Sequence, residues 1–421
     1  MTEKTAFKSA DILLPKQGID MEKWAVIACD QFTSELEYWE ETKKIVGDAP
    51  STLNLILPEV YLEDKDVEQR LKTIKNSMKE YEAEGIFTEY KDAMIYVERT
   101  DSKGRMRAGI VGKIDLEQYD YKKGSQSQVR ATEATVEERI PPRLKVRKEA
   151  ILELPHIMML IDDEKATVIE PLAKETDSLE KLYDFTLMQG GGSIKGYLLG
   201  EEEKIQVKEA LCALCDVDAF REKYGLEEEN VLLYAMGDGN HSLATAKEYY
   251  EQLKKAHPDQ DLSNHPARYA LAELVNLHSP ALKFKAIDRI ITEADVPHLM
   301  REMTTKLGLS TKGEGQKITV IHDQIEENLV ITKPTSKLAV GSIQNFLDRY
   351  LSRNPGKIDY IHGKNSMKQL AKQPGSLGIL LPDMEKQELF GAVICDGALP
   401  RKTFSMGHAR DKRYYLECRR I

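Results

Sequence analysis

The residues that could do chemistry in this chain are concentrated in one short turn. Residues 231–245 read VLLYAMGDGNHSLAT, in which an apolar run typical of a strand ends at Gly237 and Gly239 and a helix-forming segment begins near Asn240. A strand, a glycine turn and a helix start leave several backbone N–H groups without partners, with the positive end of the helix dipole behind them. This arrangement favours an anion, most often a phosphate.

The same turn carries four polar side chains, Asp238, Asn240, His241 and Ser242. Asp238 would follow a strand of an open α/β sheet, where it could hold Mg²⁺ or accept a proton. A turn aspartate can also simply bond its own backbone, but the clustering favours function. Asn240 is explained equally well as a helix N-cap. His241 would be neutral beside the helix dipole and could donate to a phosphate oxygen or relay a proton, whereas Ser242 has the weakest case.

A second candidate region is the densest basic stretch of the chain. Its members are Arg130, Arg139, Arg143, Lys145, Arg147 and Lys148. Arginine suits bidentate contact with phosphate or carboxylate, whereas the lysines fit a solvated helix face. Pro141 and Pro142 predict a break in a helical segment, and the resulting fixed loop favours Arg139 and Arg143 as ligand contacts. Glu133 lies near the start of this stretch and is the natural partner or second acid.

Two further candidates lie far away in sequence. Asp30 ends the apolar run 24–30 and precedes a helix start, so it repeats the arrangement at Asp238. Contact with a substrate or metal and a structural cap explain Asp30 equally well. Lys402 belongs to the basic segment 400–404, PRKTF, which otherwise fits an exposed rim.

The composition restricts the classes of function. The chain has 421 residues, 41% of them hydrophobic and 31% charged, with a net charge of −10. This composition is that of a soluble globular protein, and the acidic balance argues against sequence-independent binding of nucleic acid. The apolar runs are too short to cross a bilayer, we find no signal peptide, and the five cysteines show no disulfide spacing. We therefore expect a cytoplasmic protein with neither a nucleic acid nor a membrane as partner.

Strand-like and helix-like segments alternate along the chain. They predict an α/β fold of mixed sheets with helices on the faces, in three interlocked parts, 1–130, 131–268 and 269–421. The expected elements include a helix at 67–81, an exposed loop at 116–128, a strand at 166–169, a helix at 178–188 and one helix over 201–223.

The turn, together with Asp30, the basic stretch and the PRKTF segment, resembles a bacterial and archaeal family catalogued as domain of unknown function 1015. The resemblance runs over essentially the whole chain. Family members usually show Asp-Gly-His-His-Arg where this chain has DGNHS at 238–242. The family arginine is therefore Ser242 here, and a role that needs a cation would pass to Arg139 or Arg143.

The family turn is similar to one in the ParB and sulfiredoxin-like superfamily, some of whose members are kinases of free serine. This second resemblance covers only the turn with its flanking strand and helix. It implies a ParB/sulfiredoxin-like core with an additional α+β subdomain and a nucleotide phosphate, from ATP or ADP, bound at residues 237–241. It also implies Mg²⁺ near Asp238 and a small metabolite as partner, with serine or phosphoserine as the leading hypothesis.

The preferred function is therefore phosphoryl transfer between a nucleotide and a small hydroxylated metabolite. Asp238, His241 and Glu133 would be catalytic, with Asp238 as base or metal ligand. The expected phosphate-binding residues are Gly237, Gly239, Asn240, Ser242, Arg139 and Arg143, and the expected substrate-binding residues are Asp30, Arg130 and Lys402. Two alternatives stay open: a phosphomonoester hydrolase and a non-catalytic, nucleotide-binding regulatory protein.

Overall fold

The computed structural model describes residues 5–154, 156–226, 230–323 and 325–421. The chain divides into two compact units. The first unit comprises Met1–Ala131, Thr135–Leu282 and Gly407–Ile421, and the second comprises Thr132–Ala134 and Lys283–Met406. The chain therefore passes repeatedly between the units, and the three-part division stays a prediction.

Helices and strands are numbered here in chain order. The α-helices are α1 (Met21–Trp24), α2 (Leu36–Val46), α3 (Val67–Ala83), α4 (Ile140–Glu149), α5 (Glu201–Leu214), α6 (Val217–Tyr224), α7 (Asn240–Ala256), α8 (Val296–Leu307), α9 (Ala339–Leu351), α10 (Lys364–Leu370) and α11 (Glu388–Asp396). The strands are β1 (Phe7–Lys8), β2 (Ala10–Pro15), β3 (Val26–Ile27), β4 (Phe87–Ala93), β5 (Ile95–Thr100), β6 (Met106–Asp115), β7 (Tyr119–Asp120), β8 (Val129–Arg130), β9 (Leu152–Glu153), β10 (Met158–Ile161), β11 (Glu180–Leu187), β12 (Gly192–Leu198), β13 (Tyr234–Asp238), β14 (Tyr269–Asn276), β15 (Phe284–Ala286), β16 (Asp288–Thr292), β17 (Leu309–Ser310), β18 (Gln316–His322), β19 (Ile325–Ile331), β20 (Lys357–Ile361), β21 (Leu377–Leu380), β22 (Phe404–Met406), β23 (Tyr414–Tyr415) and β24 (Arg419–Arg420).

The first unit is built on a mixed ten-stranded sheet. Its strand order is β11-β12-β5-β6-β14-β10-β13-β8-β7, and β1 also pairs with β6. Strand β10 runs parallel to β14 and antiparallel to β13, while β8 runs parallel to β13. All four residues of β10 are buried, as expected for a central strand covered on both faces. The predicted mixed α/β class is confirmed.

The second unit contains a six-stranded antiparallel sheet with the order β17-β19-β18-β21-β16-β20. Helix α9 packs against strand β18 of this sheet, and its residues Ile343 and Leu347, one helical turn apart, are fully buried. Helix α8 begins with the side chain of Asp295 as its N-cap.

The helical spacing at 67–81 predicted α3 correctly, but two other segments were assigned to the wrong class. Strand β11 occupies most of the segment 178–188 that was predicted as a helix, because Tyr183, Phe185 and Leu187 alternate with exposed polar residues at the period of a strand. The predicted strand at 166–169 is a turn, in which the Asp163 carboxylate accepts from the backbone N–H groups of Thr167 and Val168 at 2.6 and 2.9 Å.

Two predicted elements differ in extent. The helix expected over 201–223 is interrupted between α5 and α6, where the Asp216 side chain accepts from Ala219 N at 2.8 Å and caps the second helix. The stretch expected to be an exposed loop at 116–128 includes β7 at the sheet edge, and Leu116 and Tyr119 in it are buried.

The Pro141–Pro142 pair begins a helix instead of breaking one. Both prolines lie in the first turn of α4, where their missing N–H groups would have no intrahelical partner in any residue. Arg139 and Arg143 therefore flank a helix start, and Arg143 Nη1 donates to Arg139 O at 2.7 Å.

Across the part of the chain that the structure describes, none of the helices combines the length and hydrophobicity needed to cross a membrane.

Candidate functional site

The predicted strand, turn and helix lie in the first unit. Strand β13 ends at Asp238, Gly239 adopts a left-handed φ of 81°, and α7 begins at Asn240. A Cβ on Gly239 would lie 3.1 Å from Ile157 Cα, and one on Gly237 would lie 3.0 Å from Leu160 Cγ. The two glycines therefore allow the neighbouring strand β10 and the residue before it to pack directly against the turn.

Some backbone N–H groups of the turn already have a hydrogen-bond acceptor within the protein, and others do not. Gly239 N donates to the Asp238 side chain at 3.0 Å, so this amide does not point to a ligand as expected. Among the described residues, we find no acceptor for the first-turn N–H groups of Asn240, His241 and Ser242. Gly239, not Asn240, occupies the N-cap position, so the capping role predicted for Asn240 is wrong. The first turn of α7 therefore offers three donors and the positive end of the helix dipole.

Asp238 forms an ion pair with a lysine that lies far away in the sequence. Lys412 Nζ lies 3.0 Å from Asp238 Oδ2, and both side chains are about one-fifth exposed, at 18% and 21%. The other oxygen, Oδ1, accepts from Gly239 N. Both oxygens of the carboxylate are therefore engaged, one of them by a cation.

This donor set does not fit a magnesium ion held by the protein. Asp238 belongs to no group of three metal-ligating side chains among the described residues; the group that exists consists of Asp162, Glu164 and His278. An ammonium group at 3.0 Å also repels a divalent cation at the same carboxylate.

Asp30 forms an ion pair with a histidine that lies two residues before strand β10. Asp30 Oδ2 lies 3.2 Å from His156 Nε2, and the His156 side chain is 4% exposed. His156 Nδ1 lies 2.8 Å from the Tyr415 hydroxyl, which in turn donates to Cys29 Sγ at 3.1 Å. Because the Tyr415 hydroxyl uses its hydrogen on the sulfur, it must accept from His156 Nδ1. His156 Nε2 donates to Asp30, so both ring nitrogens are donors.

The electrostatics of this pair agree with an imidazolium and a carboxylate. Burial by itself lowers the pKa of His156, but the charge and hydrogen bond of Asp30 outweigh it and raise that pKa above its usual value. Burial raises the pKa of Asp30, but His156, Gln31 and Lys412 lower it further than burial raises it. Burial and the negative charge of Asp30 raise the pKa of the Cys29 thiol to about 12, so the thiol is not a nucleophile.

His241 has the opposite electrostatic environment. Burial and the positive charges of Arg143 and Arg139 lower its pKa to about 4, so the imidazole is neutral at neutral pH. The neutral state was predicted, but from the helix dipole and not from burial. His241 Nε2 and Asn240 Oδ1 are buried polar atoms without a hydrogen-bond partner among the described residues. Such atoms are uncommon in folded proteins, and each requires an explanation such as a water, an ion or a functional role.

The two arginines predicted to bind phosphate differ in their surroundings. Arg143 is 16% exposed and forms an ion pair with Glu59, whereas Arg139 is an exposed residue. The electrostatic influence of both on His241 indicates that their charges act at the first turn of α7. Ser242 and Arg143 line the same cavity, which also contacts His156 and Glu59.

The remaining predicted residues are engaged in structural contacts. Arg130 is 2% exposed, and its guanidinium donates to the backbone carbonyls of Ser127 and Asn230 at 2.8 and 2.7 Å. Glu133 and Lys402 belong to the second unit, where the Glu133 carboxylate accepts from Lys402 N at 3.2 Å. Their roles in catalysis and substrate binding stay predictions.

Sequence reasoning missed His156, Lys412 and Glu59. His156 directly precedes the apolar run of β10, and a polar residue at the end of a buried strand is a usable signal. Lys412 and Glu59 have no such signal. Lys412 lies 174 positions from its partner Asp238, and Glu59 lies 84 positions from its partner Arg143.

The comparisons with known proteins give a family and distant structural similarities. The family described as "Protein of unknown function (DUF1015)" matches residues 13–350. No curated protein matches the sequence. Among solved structures, the chain is similar to SbnI with a C-terminal truncation from Staphylococcus aureus, with a TM-score of 0.38, 10% identity, and coverage of 72% of this chain and 85% of that chain.

It is also similar to a free serine kinase in complex with AMP, with a TM-score of 0.37, 8% identity and coverage of 73% and 90% of the two chains. A conserved hypothetical protein from Pyrococcus furiosus gives a TM-score of 0.36, 10% identity and coverage of 74% and 94%. The superfamily resemblance implied structural similarity to a free serine kinase. At these TM-scores the similarities carry no argument about function.

Proposed function

Because this chain belongs to the DUF1015 family, whose members are described as proteins of unknown function, we propose its activity from the site itself. The protein transfers a phosphoryl group between a nucleotide and a small hydroxylated metabolite. The observation that carries the proposal is the convergence of unpaired amides, a neutral imidazole and two arginine charges at the first turn of α7.

The phosphate oxygens would bind at this first turn. The N–H groups of Asn240, His241 and Ser242 donate to them, and the neutral His241 adds a donor from its ring. Arg139 and Arg143 stabilise the negative charge that spreads over the transferred group. Glu59 pairs with Arg143 in the structure, so a phosphate would compete with that carboxylate for the guanidinium.

In the transfer step, the acceptor hydroxyl oxygen forms a bond to the γ-phosphorus while the bond from that phosphorus to the bridging oxygen of the nucleoside diphosphate breaks. Asp238 accepts the hydroxyl proton, and Lys412 keeps this carboxylate in place. Asp30 and His156 bind the metabolite. The Asp30 carboxylate and the His156 imidazolium lie side by side, so each can contact a group of opposite charge on the metabolite. The nucleoside diphosphate leaves with its negative charge, so atoms and charges balance.

Any magnesium would be carried by the nucleotide, since the groups around Asp238 do not make a site for the ion. Nucleotides in phosphoryl transfer commonly bring Mg²⁺ on their β- and γ-phosphates. Titration of the nucleotide-free protein with Mg²⁺ should then give no binding heat at Asp238, and an Asp238→Asn variant should give the same result as the wild type.

The test is an assay of the purified protein with ATP and serine, and in reverse with ADP and phosphoserine, each with Mg²⁺. We expect turnover in at least one direction, and a decrease of about 100-fold or more in Asp238→Asn, since a general base typically contributes 10²–10⁴-fold. The matched control is Asp48→Asn at an exposed position, which should keep the wild-type rate. An Asp238→Asn variant that folds and keeps the full rate contradicts the proposal.

Two further arms separate the alternative functions. Release of phosphate from phosphoserine without nucleotide would identify a phosphomonoester hydrolase. Nucleotide binding by calorimetry without turnover on a broad panel of hydroxylated metabolites would identify a binding protein.

A further inference from the structure

A cavity of about 150 Å³ lies beside the first turn of α7, within the first unit. Most of its lining is aliphatic. Leu55, Leu57, Met78, Leu152 and Leu154, each at most 8% exposed, contribute to that lining. The cavity opens to solvent, and its aliphatic part has room for one group of about the size of benzene.

The charged groups that line the cavity are mostly paired with each other. Arg147 Nη2 lies 2.7 Å from Glu153 Oε2, and Arg143 pairs with Glu59. Thr245, another lining residue, donates its hydroxyl to His241 O at 2.7 Å. The wall therefore offers few polar partners to a ligand. The favourable contribution to the binding free energy of an occupant is the burial of apolar surface.

The position of the cavity connects it to the reaction. Ser242 and Arg143, from the proposed phosphate site, line it together with His156, from the proposed metabolite site. A molecule that reaches Asp30 and His156 with a polar group can thus place an apolar group in the cavity.

We infer that the phosphoryl acceptor is an alcohol that carries an apolar group of about the size of a benzene ring, which occupies this cavity. The inference rests on the proposed function and narrows its substrate class. A small polar amino acid such as serine would leave the cavity empty, because its side chain is a single hydroxymethyl group. The base of the nucleotide is the competing occupant, but its ring nitrogens and amino group need hydrogen-bond partners, and the charged lining residues are mostly paired with each other.

The experiment measures binding of benzyl alcohol to the nucleotide-free protein by ligand-observed NMR and by the shift in Tm. It compares the wild type with Ala150→Leu, in which added side-chain carbons fill part of the cavity, since Ala150 lines it. The matched control is Ala83→Leu, the same substitution at an exposed position near the end of α3. We expect at least a tenfold weaker Kd in Ala150→Leu and an unchanged Kd in Ala83→Leu. Val146→Ile, which adds one methylene to the lining, gives the same comparison if Ala150→Leu does not fold.

A second measurement uses ATP and Mg²⁺ with benzyl alcohol and serine as alternative acceptors. A higher kcat/KM for benzyl alcohol, lost in Ala150→Leu, supports the inference. Faster turnover of serine, with no effect of Ala150→Leu, overturns it while the proposed phosphotransferase stands. Weaker binding of adenosine in Ala150→Leu assigns the cavity to the base and also overturns it. If benzyl alcohol binds in the cavity but neither acceptor is turned over, the proposed phosphotransferase function is wrong, and the assignment of the cavity to an apolar group stands.

Discussion

The two histidines of the site have pKa shifts of opposite sign, and each shift has a cause that a single substitution removes. Asp30 holds the pKa of buried His156 above its usual value, against the effect of burial. In Asp30→Asn the strongest group that opposes the burial effect is lost, so the pKa of His156 should fall.

The measurement is a histidine NMR titration of the wild type and Asp30→Asn. Asp48→Asn, at an exposed position, controls for the loss of one negative charge elsewhere and should leave the His156 resonance unchanged. A His156 pKa that stays raised in Asp30→Asn would show that another group stabilises the imidazolium.

His241 makes the free energy of unfolding dependent on pH. Its pKa is lowered from 6.5 to about 4 in the folded protein by burial, Arg143 and Arg139. The unfolded chain therefore takes up this proton first as the pH falls, and stability is lost from about pH 6.5 downwards. Between pH 7 and pH 5 the wild type should lose about 1 to 2 kcal/mol relative to His241→Gln, allowing for partial exposure.

The check on His241 is urea unfolding of both proteins at several pH values, so that all other titrating groups cancel. The same substitution at exposed His257 should give no such difference. Parallel pH profiles for the wild type and His241→Gln would mean that His241 titrates normally.

At the scale of the element, the turn between β13 and α7 depends on close contact with the segment that leads into β10. Gly239 has a φ of 81°, and a Cβ there would lie 3.1 Å from Ile157 Cα and 3.4 Å from Ile157 N. Gly239→Ala should therefore cost about 1 kcal/mol for the left-handed conformation and more for displacing backbone atoms, about 2 to 4 kcal/mol in total.

Gly225 provides the comparison, because its φ is 64° and a Cβ there meets no atom within 4 Å. Gly225→Ala should show only the conformational cost, so the difference in the free energy of unfolding between the two variants measures the contact with Ile157. Equal costs would show that the turn can move away from β10.

Particular elements show what the sequence could predict. The strand, the glycine turn and α7 follow from local signals, since an apolar run, glycines and helix formers stand in consecutive order. Strand β11 was assigned to the wrong class because its alternation is interrupted by charged residues that also suit a helix. The partners of Asp30 and Asp238 could not be predicted, because His156 and Lys412 reach them only through the pairing of distant strands.

At the scale of the whole molecule, the last stretch of chain returns to the first unit after the second unit is complete. There β23 pairs with β3 and β24 pairs with β9, so segments from both ends of the sequence are joined. This return also places Lys412 beside Asp238 and Tyr415 beside His156. The candidate site therefore depends on the closure of the whole first unit.

A buried ion network anchors this returning segment. Arg413, 7% exposed at its side chain, pairs with both Glu273 and Glu417, each 1% exposed, and Arg107 also pairs with Glu273 at 3.3 Å. Burial raises the pKa of Glu273, but the two arginines lower it below its usual value, so the carboxylate is charged in the folded protein. Arg413→Met would leave buried carboxylates without their main cation, which should cost about 3 to 5 kcal/mol.

The control for Arg413→Met is Arg420→Met, which removes ion pairs with Glu82 and Glu89, each at 2.9 Å, from an arginine side chain that is 46% exposed. Each of these exposed pairs should contribute less than about 1 kcal/mol. Urea unfolding should also show the deficit of Arg413→Met shrinking below about pH 5, because a protonated Glu273 is no longer a buried charge that lacks its main cation. Equal effects of the two substitutions would mean that the returning segment is held by its strand pairing and apolar contacts, and that the buried network adds nothing to its stability.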